Sequence, residues 1–262
     1  MPTQTEKKHA RWKVVPICRR QLRDVRKEDL IAGGLFRKCD VYRAGGGYDK
    51  FPDICKKRLG YNYRMQFVVQ LFGCNLNCYY CYVTKDGVFG DFILLTTDDI
   101  VHHFDVSGLK IFHLMGGAPA LYIENWWEII QKISGDTIFH SDLLLTEKRY
   151  KAAWLDSIVS ANCLYAVSIK GLSKVEYEKN TRVRFNEGMF WDNFDAVVKH
   201  GVPFYLTFTG IDTTSEEYLL YLDMLSSRYG NSVIEDAVAL PLVQYNAMQD
   251  NLEIKDNVEG FA

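Results

Sequence analysis

From residue 64 onward, short apolar runs alternate with longer stretches whose apolar residues recur every three or four positions. The runs at 66–72, 110–115, 137–145, 163–169, 203–209 and 233–240 are bounded by Gly, Pro, Asn or Asp. Most are apolar at nearly every position, as strands buried on both faces of a parallel sheet require. Between them the spacing predicts helices over 97–104, 122–133, 148–159, 187–200 and 215–229. In the second, Ile123, Trp126, Trp127, Ile130 and Ile133 share one face, which reads both tryptophans as core. Asp98 and Asp99 after Thr97, and Glu216 and Glu217 after Ser215, mark helix starts. Strands that alternate with helices call for right-handed crossovers. Six such units predict an α/β fold, a partial (β/α)6 TIM-like barrel with parallel strands.

Residues 1–60 break this pattern, and charge sharpens the division. They hold 16 Lys and Arg against 7 Asp and Glu, whereas the remaining residues hold 15 against 26. The chain therefore divides into a basic N-terminal extension (1–60), a barrel core (61–245) and a polar C-terminal tail (246–262). Within the extension, 19–29 reads as a charged helix and Gly45, Gly46 and Gly47 as a flexible turn. Arg19, Arg20, Arg23, Arg26 and Lys27 could meet an acidic macromolecule such as RNA or a protein partner. A basic arm docked on its own acidic body is the competing reading. No run is long and apolar enough for a membrane helix, and the first residues are polar and basic, unlike a secretory signal. The expected location is the cytoplasm, with no membrane partner.

A reducing compartment makes a disulfide framework improbable for the seven cysteines, so clustered ones read as metal or redox ligands. Cys18, Cys39, Cys55 and Cys163 stand alone and read as small buried hydrophobes. Cys74, Cys78 and Cys81 form C-x3-C-x2-C on the loop after the first barrel strand. Three thiolates can each bind one iron of a cubane and leave the fourth open to a small molecule. Structural zinc prefers four ligands, usually from two cysteine pairs, and no second pair is present. His102, His103 and His113 lack metal-site spacing and read as structural.

With Tyr80 immediately before Cys81, this triplet resembles the signature of the radical S-adenosylmethionine (SAM) superfamily. The resemblance implies a [4Fe-4S] cluster on Cys74, Cys78 and Cys81 whose open iron binds SAM. Reductive cleavage of SAM would then give a 5′-deoxyadenosyl radical that abstracts hydrogen from a substrate. It also implies an electron donor such as flavodoxin or ferredoxin. Gly116-Gly117-Ala118-Pro119 is similar to the Gly-Gly-Glu-Pro motif that receives the SAM amino group, with Ala118 in place of the glutamate. Ser168-Ile169-Lys170-Gly171 is similar to the Asp-x-Lys-Gly of glycyl-radical-enzyme activases, with Ser168 replacing the aspartate. Strand alternation puts Ser168 and Lys170 on one face. Thr207, Thr209 and the backbone at Leu240 are further candidates for ribose, substrate or adenine, and His140, Thr146 and Glu147 for the barrel mouth.

No second cluster motif follows Cys81, and the stretch before Cys74 is short for a cobalamin domain. The expectation is a compact, single-cluster member resembling the activases and 7-carboxy-7-deazaguanine synthase-like proteins. The former act on a protein glycine and the latter on a small heterocycle. A non-catalytic iron–sulfur or zinc protein and a nucleic-acid-binding module are the other classes, and Ala118 is the best argument for the first of them.

Overall fold

The computed structural model describes residues 11–17, 27–43, 47–60 and 64–242. Strands β1 (Arg11–Val14), β2 (Leu30–Ile31) and β3 (Phe36–Asp40) precede helix α1 (Asp53–Leu59). Then follow β4 (Met65–Gln70), α2 (Lys85–Phe89), β5 (Ile93–Thr96), α3 (Thr97–Ser107) and β6 (Ile111–Met115). The chain continues with α4 (Trp126–Ile130), β7 (Ile138–Leu143), α5 (Ala152–Ile158), β8 (Cys163–Ile169) and α6 (Lys174–Thr181). It closes with α7 (Glu187–Lys199), β9 (Phe204–Thr209), α8 (Glu216–Tyr229), α9 (Ser232–Glu235) and β10 (Ala237–Leu240).

One sheet runs in the order β10-β9-β8-β7-β6-β4-β3-β2. Its first six strands are mutually parallel, as the alternating pattern predicts, and β3 and β2 add antiparallel beyond β4. A separate ribbon pairs β1 with β5. The fold is a partial TIM-like barrel.

Period-two alternation gives the sheet two different faces. Phe67, Val69, Phe112, Leu114, Phe139, Tyr165, Val167, Leu206 and Phe208 point outward into the helices. There they share one core with Phe104 of α3, Trp126 of α4, Leu155 of α5, Phe194 of α7 and Leu225 of α8. Stacked rings hold this layer, Phe112 on Phe139 at 5.8 Å and Trp126 on Tyr165 at 5.6 Å between centroids. The residues between them (Gln66, His113, His140, Ser168, Tyr205 and Thr207) line a cavity on the inner face.

The N-terminal ends of the strands are plugged. Val41, Tyr42, Phe51, Cys55 and Leu59 pack against Ile111, Leu164, Ala166, Tyr205 and Val238. The Arg58 guanidinium fixes α1 there by donating to the carbonyls of Ala161 (2.8 Å) and Cys163 (2.9 Å). Residues after the strand C-termini, among them the 74–85 loop and Gly116, Gly117, Lys170 and Pro241, also line the cavity.

Several expectations are corrected. Val233 lies in α9, not in a strand; the Asn231 carbonyl accepts from the N–H groups of Ile234 and Glu235 and winds the segment into a turn. The helix expected over 122–133 starts as a 3-10 stretch, Pro119–Asn125, and is α-helical only over Trp126–Ile130. Trp126 is buried, but Trp127 is 39 % exposed, because so short a helix turns only one of the two inward. Strands β1 to β3 and β5 and helices α1, α2 and α6 were not expected; charged pairs such as Arg37-Lys38 and Glu176 to Lys179 obscure the periodicity of several of them. Lys27–Asp29 forms a single 3-10 turn. Arg19, Arg20, Arg23, Arg26, Cys18, Gly45, Gly46 and the tail lie outside the described residues. Among the described residues no helix is long and apolar enough to cross a membrane.

Arg58→Ala should lower unfolding free energy by about 1–3 kcal/mol in urea titrations, because it releases charge-assisted bonds to the carbonyls of Ala161, before β8, and Cys163, its first residue. An unchanged midpoint would show that the plug holds by apolar packing alone.

Candidate functional site

Between β4 and α2 the chain forms an irregular loop that is pinned at every turn. Gly73, at φ +95°, donates its N–H to the Val88 carbonyl and accepts from the Ala118 N–H, both at 2.8 Å. Asn75 Nδ2 donates to the Thr146 carbonyl (2.9 Å), and the Asn77 N–H to the Thr181 carbonyl (2.9 Å). The loop is thus tied to the C-terminal ends of β6 and α6 and to the segment after β7. Cys74, Cys78 and Cys81 all line the inner cavity, whose volume is about 620 Å³. That size is typical of small-molecule sites.

Burial raises the thiol pKa of Cys74 to about 12 and that of Cys81 to about 11; it also raises Cys78, against the opposing pull of Lys170. Thiols of this kind stay protonated until a metal displaces the proton. Among the described residues no three His, Cys, Asp or Glu side chains converge as a single metal ion requires. The three thiols share a cavity without meeting at one point.

The turn after β6 explains both of its glycines. Gly116 (φ +74°) and Gly117 (φ +52°) are left-handed, a conformation that glycine adopts without strain. A Cβ on Gly117 would overlap the Gly73 carbonyl oxygen, and one on Gly116 would overlap the Gln70 side chain. Backbone therefore lies directly against backbone beneath the cysteine loop.

Of the residues expected at the site, Tyr80, Gly116, Gly117, Pro119, Ser168, Lys170, Thr207, Thr209 and Leu240 all line the cavity. Ala118 does not. Its side chain is buried outside the cavity lining, among Leu76, Leu144 and Tyr177. The residue at this position serves packing, which leaves its N–H as its contribution to the loop. Ser168 and Thr207 face each other across β8 and β9 with hydroxyls 3.1 Å apart. The Lys170 ammonium sits 5.8 Å from the Tyr80 ring centroid, within cation–π range. Thr146 bonds Tyr177 at 3.0 Å, and Glu147 accepts from the Leu144 N–H and the Tyr150 hydroxyl, each at 2.8 Å. Those two residues shape the loop and do not line the cavity.

The cavity also holds a polar layer of which the sequence pattern pointed only to His140. Gln66 Oε1 accepts from His113 Nδ1 at 2.8 Å and lies 3.4 Å from His140 Nδ1. His140 Nε2 is 3.2 Å from the Tyr205 hydroxyl. Burial, then the adjacent His113, holds His140 well below the ordinary imidazole value, so it stays neutral. His113 Nε2 faces Asp142 at 3.8 Å. Burial alone would raise Asp142, but the His113 imidazole prevails and keeps the carboxyl below its usual range. Arg37 of β3 reaches the same cavity. The signal for this layer was available: Gln66, His113, His140 and Asp142 are polar positions inside otherwise apolar strands, all on one face.

The family model described as the radical SAM superfamily matches residues 68–225, from β4 through the cysteine loop to α8. The chain belongs to the radical SAM superfamily. Membership brings SAM and a [4Fe-4S] cluster as the family's cofactors. Among solved structures, similarity is found to anSMEcpe with bound AdoMet and the Cp18Cys peptide. That match has 14 % identity over 66 % of this chain and 48 % of the other, with a TM-score of 0.42. Methylornithine synthase (PylB) matches at 13 % identity over 74 % of this chain and 58 % of its own, with a TM-score of 0.45. The chain thus spans about half the length of these structures. No curated protein sequence matches it.

Two substitutions test the turn beneath this radical SAM loop. Gly117→Ala should cost about 2–4 kcal/mol of stability and reduce iron incorporation. Gly135→Ala, where an added Cβ meets nothing within 4 Å, should be neutral in both measurements. Ala118→Glu, which restores the residue of the family motif, should destabilise by about 3 kcal/mol or more, because it buries a carboxylate among apolar side chains. Tighter SAM binding by that variant, measured by equilibrium dialysis, would overturn this placement of the side chain.

Proposed function

We propose that Cys74, Cys78 and Cys81 each bind one iron of the [4Fe-4S] cluster and that SAM occupies the adjoining part of the cavity. The observation that carries this reading is that all three thiols open onto a single cavity. Its other walls are the Gly116–Gly117 turn, the Ser168–Thr207 hydroxyl pair and Lys170. The donor set fits the group: thiolates spread over one loop suit separate irons of a cubane better than a lone ion. When bound, the cluster supplies the electron that cleaves SAM reductively to a 5′-deoxyadenosyl radical, and the outcome is hydrogen abstraction from a substrate.

The residues of this chain do the positioning. Lys170 places a positive charge beside Cys78 and Cys81, where it can neutralise a SAM carboxylate. Backbone carbonyls at Gly116 and Gly117 accept from the SAM ammonium, a role Ala118 cannot share through its side chain. Ser168, Thr207 and Thr209 offer hydroxyls to ribose, and the backbone at Leu240 offers hydrogen bonds to adenine. Walls of Tyr80, Leu144 and Val183 keep water from the reacting centre. Flavodoxin or ferredoxin would supply the electron.

Of the two kinds of substrate, a small molecule suits the site better than a glycyl loop of another protein, because the plugged cavity ends in a layer of closely placed polar side chains. Activity on an acidic macromolecule guided by residues 19–27 is the second reading, favoured by the charge asymmetry alone.

Anaerobic reconstitution with iron and sulfide, then reduction with dithionite and SAM, should yield 5′-deoxyadenosine by chromatography. Cys78→Ala should abolish it. An intact cluster that never cleaves SAM would instead favour a non-catalytic iron–sulfur protein.

A further inference from the structure

Arg37 is the most unusual charge in the cavity. It lies on β3, one strand beyond the parallel barrel, and is only 6 % exposed. Alternation sends Phe36 into the outer core and Arg37 into the cavity. Among the described residues its guanidinium forms no ion pair, and its one hydrogen-bond acceptor is the thioether of Met115, Nη2 to Sδ at 3.1 Å. Its Nε is buried with no partner among the described residues. A guanidinium carries five donors in a rigid fork shaped for a carboxylate or phosphate. To bury one against a weak sulfur acceptor is costly, and the cost stands unless something else fills the fork.

The surroundings indicate what that is. Met115 ends β6 immediately before the Gly116–Gly117 turn, so the guanidinium lies beside the proposed SAM region. Lys170 immediately follows β8, near Cys78 and Cys81, and is the cation placed to meet SAM's own carboxylate. Arg37, supplied by β3, is a cationic position distinct from Lys170. Below it lie the His113–Asp142 pair and the Gln66–His140–Tyr205 chain, which together offer an ionised carboxylate and neutral hydrogen-bonding groups.

We propose that Arg37 is a substrate-binding residue. It receives the anionic group, carboxylate or phosphate, of a small molecule whose amino or hydroxyl group donates to Asp142. The substrate class is then a small hydroxylated or amino-substituted organic acid or phosphate ester. This rests on the reading of the cavity as the SAM and substrate site, and the test separates the two.

The experiment uses the cluster-loaded chain with SAM bound. Its Tm is followed during titration with succinate, with inorganic phosphate, and with glycerol as a neutral control. The proposal expects Tm to rise with one of the anions and not with glycerol, and the responding anion tells carboxylate from phosphate. Arg37→Met keeps the length of the stem and removes the buried charge. It should fold, show an equal or higher Tm without anion, retain SAM binding, and bind the anion roughly thirtyfold or more weakly. Equal anion responses in wild type and Arg37→Met, or none in the wild type, would overturn the proposal. Loss of SAM binding in Arg37→Met would overturn it too, by assigning the guanidinium to the cofactor. Should Arg37→Met fail to fold, Arg37→Lys decides: weaker anion binding with SAM binding retained is expected, and wild-type anion binding would refute the proposal. Failure of the wild type to cleave SAM sinks the cavity reading separately, whatever the anions do.

Discussion

The site depends on one backbone contact, the bond from the Ala118 N–H to the Gly73 carbonyl. It joins the first residue of the cysteine loop to the turn that ends the neighbouring parallel strand. Two left-handed glycines bring the backbones together, and a side chain on Gly117 would occupy the place of the carbonyl oxygen. A loop that carries three thiols without regular structure would otherwise sample many arrangements, at an entropic cost paid on each binding event. Anchoring it to β6, to the segment after β7 and to α6 fixes the thiols before any ligand arrives. The same turn contributes wall to the cavity, so the order of the loop and the shape of the pocket have one origin.

The second constraint is the alternation of the strands. Each barrel strand gives its large apolar residues to the helices and its intervening residues to the interior. Apolar positions near the strand starts pack on the plug formed by Tyr42, Phe51, Cys55 and Leu59. Polar positions on the inner face, Gln66, His113, His140 and Asp142, line the cavity. Towards the mouth come Ser168, Thr207 and Lys170, beside the cysteine loop. Strand β3 from the basic segment adds Arg37 to this interior, which makes the early residues part of the site.

Much of this was legible in the sequence. The six parallel strands are near-continuous apolar runs with clear breaks, and the cysteine spacing identified the family. What stayed hidden has physical causes. β3 carries Arg37 on an inner face that meets the cavity and Lys38 beside it, so it did not look like a strand. Ala118 resembled a ligand position by motif, yet its side chain turns to Leu76, Leu144 and Tyr177, a direction set by the backbone of the turn. Trp127 matched a helical face that a single-turn helix does not present. The polar residues were visible letter by letter, but their meaning required knowing that β4, β6 and β7 are neighbours and that His113 is level with His140.

The central claim is that three thiolates leave one iron of the cluster open and that SAM takes it. Mössbauer spectroscopy of the chain reconstituted with iron-57 tests this most directly. The account predicts that adding SAM shifts the signal of about one iron in four and leaves the others unchanged. Spectra identical with and without SAM, in a chain that holds its full cluster, would contradict it.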